Sequence, residues 1–215
     1  MAKAPVAGLA KTRLAPALGA AGAAALARRL LDHAVAQAAA AQPASITLWV
    51  APDASHPAFA DAHRRHGARL CLQPAGDLGM RMTQVFSAGF AVPAARDRAE
   101  TAALPLLLTG TDAPALDAAM LQRAASELAT HDAVFVPALD GGYALVGLAH
   151  AAPALLTCLF DGMQWSHPAV MAQTRQRLQS GGWRHAELPP VSDIDEPADL
   201  AQLPAGLIDG AAMPD

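Results

Sequence analysis

The stretch Leu104-Pro-Leu-Leu-Leu-Thr-Gly-Thr-Asp-Ala-Pro-Ala-Leu116 decides how the chain is read. Its apolar run over 104–108 is closed on the C-terminal side by Gly110 and Pro114. That is the pattern of a strand buried on both faces, as in a parallel sheet covered by helices. The run gives way to Thr109-Gly110-Thr111-Asp112, so Asp112 is expected just past the strand's carboxyl end, where open α/β sheets bind their ligands. A carboxylate there can hold a metal ion or a substrate hydroxyl. The plainer alternative is a helix cap, but Asp117 is better placed to cap a helix expected over 118–130.

Outward from this strand the chain alternates. Strands are expected over 45–51, 69–73 and 183–188, a strand, glycine turn and strand over 133–148, and helices over 20–41, 57–66, 78–91, 155–160 and 168–180, with Ser166 as the cap of the last. Leu26, Leu30 and His33 share one face of the first helix. The polar segment 93–103 reads as a surface loop, and the Gly/Ala/Pro-rich residues 205–215 as a flexible tail behind one domain over 1–204.

Composition bounds the function. The chain has 215 residues, 53% of them hydrophobic but only 4% aromatic, and a net charge of −4. That charge argues against nucleic acid or an anionic membrane as a partner. No stretch looks long and apolar enough to span a bilayer. The start superficially resembles a secretory signal, with Lys3, Lys11 and Arg13 ahead of an Ala/Gly/Leu-rich run, but Pro16 breaks that run and Arg28-Arg29 end it. Cys71 and Cys158 have no metal-ligand spacing and read as residues of a reducing cytoplasm.

The charges are unevenly spread. No acidic residue precedes Asp32, and no Lys or Arg follows Glu187. If these ends meet, they would form a site for phosphate and metal. Thirteen of the fifteen Lys and Arg residues are Arg, and the only lysines, Lys3 and Lys11, both lie in the first loop. A compact ammonium with rotatable donors is thus used only where Pro5 and Gly8 open the backbone ahead of a helix, an arrangement suited to phosphate. A merely solvated basic loop is the alternative. His63 and His66 are flanked by arginines, which favours a solvated helix face over a metal site. Gln73, with Gly76 and Gly79 behind it, can read a nucleobase edge or simply mark a strand–helix junction. Asp140-Gly141-Gly142-Tyr143 is a good hairpin signal. Asp195 precedes Pro197 as a reasonable helix cap, and at strand period it points to the same side as Asp193.

Taken together, Lys3–Leu14, Gly76–Met82, Gly110-Thr-Asp-Ala-Pro114, Asp140–Tyr143, Trp165-Ser166 and Asp193–Leu200 resemble, in order, the motifs of a family of uncharacterised bacterial transferases. These are labelled glycosyltransferase- or guanylyltransferase-like and are associated with radical-SAM and selenium domains. The resemblance implies the nucleotide-diphospho-sugar transferase fold, a single-domain α/β/α sandwich around a mostly parallel sheet. It also implies nucleotide-bound Mg²⁺ (or Mn²⁺), with Asp112 and Asp195 on the metal. Lys3, Pro5, Gly8, Lys11 and Arg13 would hold phosphates, and Gln73, Gly76, Gly79 and Thr111 the rest of the nucleotide. Asp140, Gly141, Gly142, Tyr143 and Trp165 would face the acceptor. The superfamily has a full first strand before the phosphate loop, whereas only Met1-Ala2 precede Lys3 here. A natural start upstream, or a truncated first strand, is therefore expected.

No nucleophilic constellation stands against this reading, since phosphoryl chemistry needs chiefly positioning and charge neutralisation. The first expectation is nucleotidyl transfer from a nucleoside triphosphate to a small phosphorylated acceptor, catalysed by Lys11, Arg13 and Asp112. Glycosyl transfer from a nucleotide-sugar is the second expectation, and a nucleotide-binding domain without turnover the third.

Overall fold

The computed structural model describes residues 1–91 and 104–208, so the loop expected over 93–103 and the tail beyond 208 lie outside the described residues. The chain is α/β, and its residues group into two compact units. The first comprises Met1–Gln73, Gly110–Ala119 and Val191 onward; the second comprises Pro74–Thr109 and Met120–Pro190.

In the first unit, β1 (Ala2–Lys3), β2 (Thr47–Ala51) and β3 (Arg69–Leu72) form a parallel sheet in that order. β1 pairs with β2 through Ala2 beside Val50 and Lys3 beside Ala51. Two crossover helices, α1 (Ala15–Ala40) and α2 (Pro57–His66), join the strands. Alternation along β2 turns Leu48 and Val50 to one face. There they pack with Phe59 and Ala62 of α2 and with Leu31 and Val35 of α1. The earlier turns of α1 serve a second cluster, in which Leu26 and Leu30 meet Leu14, Ile194 and Leu207. Each such side chain withdrawn from water contributes about 1.5–3 kcal/mol. The helix is interrupted at Gly19, whose φ is 68°, so its regular part begins where the sequence places it.

Two expectations about this unit need correction. The helical stretch Thr12–Ala40 is long and apolar enough, by length and composition alone, to cross a membrane. Much of its apolar character is alanine, and its leucines and Val35 are committed to the two clusters just described. Residues 205–208 are also not part of a loose tail. They form a short helix, α7 (Ala205–Ile208), and Leu207 is buried in the second cluster.

The second unit carries a sheet in the order β4-β6-β5-β7, built from β4 (Leu106–Thr109), β5 (Ala133–Pro137), β6 (Tyr143–Leu148) and β7 (His185–Glu187). β6 runs antiparallel to both β4 and β5, while β7 is parallel to β5. The sequence anticipates the glycine-turned hairpin of β5 and β6. Of the four strands in this sheet only β6 runs against the others, so the strands remain mostly parallel, as expected. β5 is the strand with the most complete burial, from Ala133 to Val136. In β4 only Leu108 is buried; Pro105 has no N–H for a ladder, and pairing starts at Leu106.

The remaining helices are α3 (Leu78–Ala91), α4 (Ala118–Glu127), α5 (Pro153–Phe160) and α6 (Val170–Gly181). Phe86 of α3 stacks on Phe160 of α5 with centroids 5.9 Å apart, and Trp165 and Tyr143 continue the aromatic series. Ser166 does not cap α6: it adopts φ 60°, and Ala169 occupies the cap position.

Candidate nucleotide and metal site

The first unit brings together residues from three distant parts of the chain. The Lys11 ammonium lies 2.7 Å from Asp112 Oδ1 and 3.6 Å from Asp195 Oδ1. Arg13 Nη1 donates to Asp195 Oδ2 at 2.7 Å. The basic start and acidic end of the chain do therefore meet, and they meet at the aspartate behind β4. The four side chains sum to no net charge. Lys11 is the buried member, its side chain 7% exposed against 50% for Asp112, 39% for Asp195 and 68% for Arg13.

Local structure explains the convergence. The first loop leaves β1 through Ala4, whose N–H donates to the Ala51 carbonyl, and turns back at Val6, whose carbonyl accepts from Leu9 and Ala10. Lys11 has φ 48° and ψ 44°, a left-handed conformation costing a residue with a Cβ about 1–2 kcal/mol. Its carbonyl accepts from Leu14, closing a 3-10 turn over Thr12–Leu14. Leu14 anchors that turn in the cluster that also buries Ile194, next to Asp195. The cation and one carboxylate are thus held by the same apolar cluster.

Asp195 is also free of the capping task expected of it. The helix read before Leu203 is a 3-10 segment over Pro197–Gln202 with Glu196 as its cap. Asp199 Oδ2 accepts from the N–H groups of Asp195 and Glu196, at 3.0 and 2.7 Å. The Asp195 carboxylate is left to Lys11 and Arg13.

Two positioning residues escaped the sequence reading. His33 Nε2 donates to the Pro114 carbonyl at 2.9 Å, and Gln37 Oε1 accepts from the Ala118 N–H at 2.9 Å. One turn apart on α1, they hold both ends of the segment that comes after Asp112. The available signal is a pair of polar residues four apart on an alanine-rich helix.

Other expected nucleotide contacts lie elsewhere or have structural tasks. Lys3 is exposed at the end of β1, Pro5 is buried, and Gly8 is exposed with φ 78°. Thr111 immediately precedes Asp112 and is half-buried. The Gln73 amide nitrogen donates to the carbonyls of Ala2 (2.9 Å) and Trp49 (3.1 Å), tying β3 to the first two strands. That commits both of its donor hydrogens to the sheet.

Gly76 and Gly79 belong to the second unit. A Cβ on Gly79 would stand 2.5 Å from the Phe160 carbonyl and 2.9 Å from Trp165 Nε1, so close packing requires this glycine. Gly76 has φ 106°, and its carbonyl accepts from Arg81.

The expected acceptor residues are also in the second unit. Asp140 Oδ1 accepts from the Gly142 N–H at 2.8 Å, an Asx turn that shapes the hairpin. Gly141 has φ 95°, and a Cβ there would strike the Pro168 carbonyl at 2.0 Å. Tyr143 and Trp165 meet edge-to-face at 6.4 Å, and the Tyr143 hydroxyl and Trp165 Nε1 are buried with no hydrogen-bond partner among the described residues. Burial pushes the Tyr143 hydroxyl well above its ordinary pKa.

Among the described residues no group of three or more His, Cys, Asp or Glu side chains converges as a metal cage. Two carboxylates suit Mg²⁺, a hard cation commonly held by one or two carboxylates with phosphate oxygens and water completing its shell. The donor set therefore fits an ion delivered with a nucleotide.

The chain has matches among known proteins. A family described as "Uncharacterized protein conserved in bacteria (DUF2064)" matches residues 34–167. A protein of Desulfovibrio desulfuricans G20, provisionally described as a nucleotide-diphospho-sugar transferase, has a similar structure with TM-score 0.79 and 27% identity. The match covers 98% of this chain and 86% of that one. A CMP:2-keto-3-deoxy-manno-octonic acid synthetase complexed with CTP matches at TM-score 0.48 and 10% identity, over 80% of this chain and 85% of that one. A cytidylyltransferase from Leptospira borgpetersenii matches at TM-score 0.46 and 10% identity, over 74% and 64%. No curated protein matches the sequence.

Proposed function

We propose, for a chain that belongs to the DUF2064 family of uncharacterised bacterial proteins, a transferase acting on a metal-bound nucleotide. The reading we favour is nucleotidyl transfer from a nucleoside triphosphate to a small phosphorylated acceptor, in a reducing cytoplasm. The observation that carries it is the quartet of Lys11, Arg13, Asp112 and Asp195, two cations and two carboxylates gathered from the loop after β1, the loop after β4 and the C-terminal segment.

In this reading Asp112 and Asp195 hold Mg²⁺ or Mn²⁺, which when bound supplies charge neutralisation on the phosphates. Lys11 and Arg13 orient the triphosphate and oppose the negative charge that accumulates on its outer part. An acceptor phosphate oxygen forms a bond to the α-phosphorus, the bond to the bridging α–β oxygen breaks, and pyrophosphate leaves with that electron pair. No side chain becomes covalently attached, as expected where catalysis is chiefly positioning and electrostatics.

The description of the Desulfovibrio relative favours a second reading, in which the donor is a nucleotide-diphospho-sugar and a nucleoside diphosphate departs. Product analysis separates the two. Incubation with each nucleoside triphosphate and a panel of phosphorylated acceptors should release pyrophosphate. Release of free nucleoside diphosphate from nucleotide-sugars, with no pyrophosphate from triphosphates, would replace the first reading by the second. Nucleotide binding with neither product would leave a binding domain.

A further inference from the structure

We infer that Lys11 and Arg13 bar free divalent cations from the acid pair, so that metal loads only together with a nucleotide. The inference rests on the nucleotide reading above and deepens it. Each carboxylate already has a cation at 2.7 Å, Lys11 on Asp112 and Arg13 on Asp195. An incoming divalent ion gains two carboxylates but meets two positive charges at close range, one of them the ammonium of a buried side chain.

Lys11 has little freedom to withdraw into solvent. Its side chain is buried, and its left-handed backbone is fixed by the 3-10 turn that Leu14 anchors in the core. A triphosphate changes the balance. Its oxygens provide counter-charges for Lys11 and Arg13 and further ligands for the ion, so ion and nucleotide bind each other's partners. Two carboxylates leave most of the coordination shell of a hard divalent ion to phosphate oxygens and water. By linkage, metal and nucleotide should raise each other's affinity by the same factor.

The test is Mn²⁺ binding to the full chain by electron paramagnetic resonance, with and without each of the four ribonucleoside triphosphates. Wild type should take up Mn²⁺ only when a triphosphate that it binds is present. Lys11→Met should bind Mn²⁺ without nucleotide, about tenfold or more tightly than wild type, as expected on removing one charge at close range. Arg13→Gln, a change at an exposed side chain, should gain less, and adding Asp112→Asn to Lys11→Met should abolish the gain. Wild type binding Mn²⁺ alone as tightly as Lys11→Met overturns the inference, and so does a failure of both Lys11→Met and Arg13→Gln to gain. Failure of every triphosphate to bind wild type, measured by calorimetry in the same buffers, instead removes the nucleotide reading.

Discussion

The backbone N–H of Ile194 donates to the carbonyl oxygen of Asp112 at 2.9 Å. One main-chain bond thus ties the loop behind β4 to the C-terminal segment, directly beside both carboxylates. Ile194 is fully buried with Leu14 and Leu26. Ile194→Ala should cost about 2–5 kcal/mol of stability, read from urea unfolding. It should also weaken metal-dependent nucleotide binding at a temperature where the variant is still folded. Wild-type affinity in a destabilised variant would separate the core cluster from the site.

Asp112→Asn keeps the shape of a half-exposed side chain and removes its charge. Unfolding should remain cooperative, while nucleotide affinity loses most of its dependence on Mg²⁺. An unchanged metal titration in this variant would end the assignment of Asp112 as a ligand.

Lys11→Ala should lower turnover by roughly ten- to a thousand-fold, or about 1.4–4 kcal/mol. An ammonium near a phosphate gains from the charge that develops as the leaving group departs. Lys11→Arg should restore only part of this, because a planar guanidinium fork does not reproduce the geometry of a compact ammonium. Steady-state rates with saturating metal measure both, and full activity in Lys11→Ala would exclude Lys11 from catalysis.

Gly79→Ala should destabilise the second unit by about 1–3 kcal/mol, as overpacking does, since its Cβ meets the Phe160 carbonyl. Nucleotide affinity of the folded variant should be unchanged. Thermal unfolding and calorimetry check the two halves of this prediction, and a loss of affinity without loss of stability would return Gly79 to the nucleotide site.

Glu187 and Arg175 form a two-pronged ion pair, both bonds 2.7 Å long. The Arg175 guanidinium holds the Glu187 carboxyl below its ordinary range, against the opposing effect of burial. A depressed folded-state pKa adds stability above the unfolded-state value, and that stability is lost as pH falls through the folded one. Both side chains are partly exposed, so Glu187→Gln should cost no more than about 1 kcal/mol near neutrality. The gap between wild-type and variant Tm should close as pH drops below about 4.5. A gap that stays constant down to pH 3 would show that the charge of Glu187 contributes nothing.

The sequence disclosed what local chemistry can encode. The strand ending before Asp112, the glycine-turned hairpin and the regular part of α1 each carry their own pattern of apolar spacing and turn residues. The gathering of Lys11 and Arg13 with Asp112 and Asp195 was foreshadowed by segregated charge and by the family resemblance, not by any local pattern of the residues. Pairing between residues as remote as Arg13 and Asp195, 182 positions apart, leaves no local trace. Gln73 and Gly79 were ambiguous in the sequence for a related reason. An amide at a strand end and a glycine at a helix start suit a ligand as well as they suit a neighbouring carbonyl. Only the structure supplies the protein partners, Ala2 and Trp49 for the one and Phe160 for the other. Asp195 misled as a cap because Glu196 and Asp199 could do the same work one residue later.

The grip of His33 and Gln37 on the segment after Asp112 makes α1 a ruler of fixed length. Each residue added to a helix rotates the turns beyond it by about 100° and advances them about 1.5 Å. One extra residue between Leu26 and His33 would swing both grips away from Pro114 and Ala118 while Leu26 stayed in its cluster. Insertions and deletions among relatives should therefore avoid that interval and collect in the connection over 41–46, where the chain can absorb them without disturbing the acid pair.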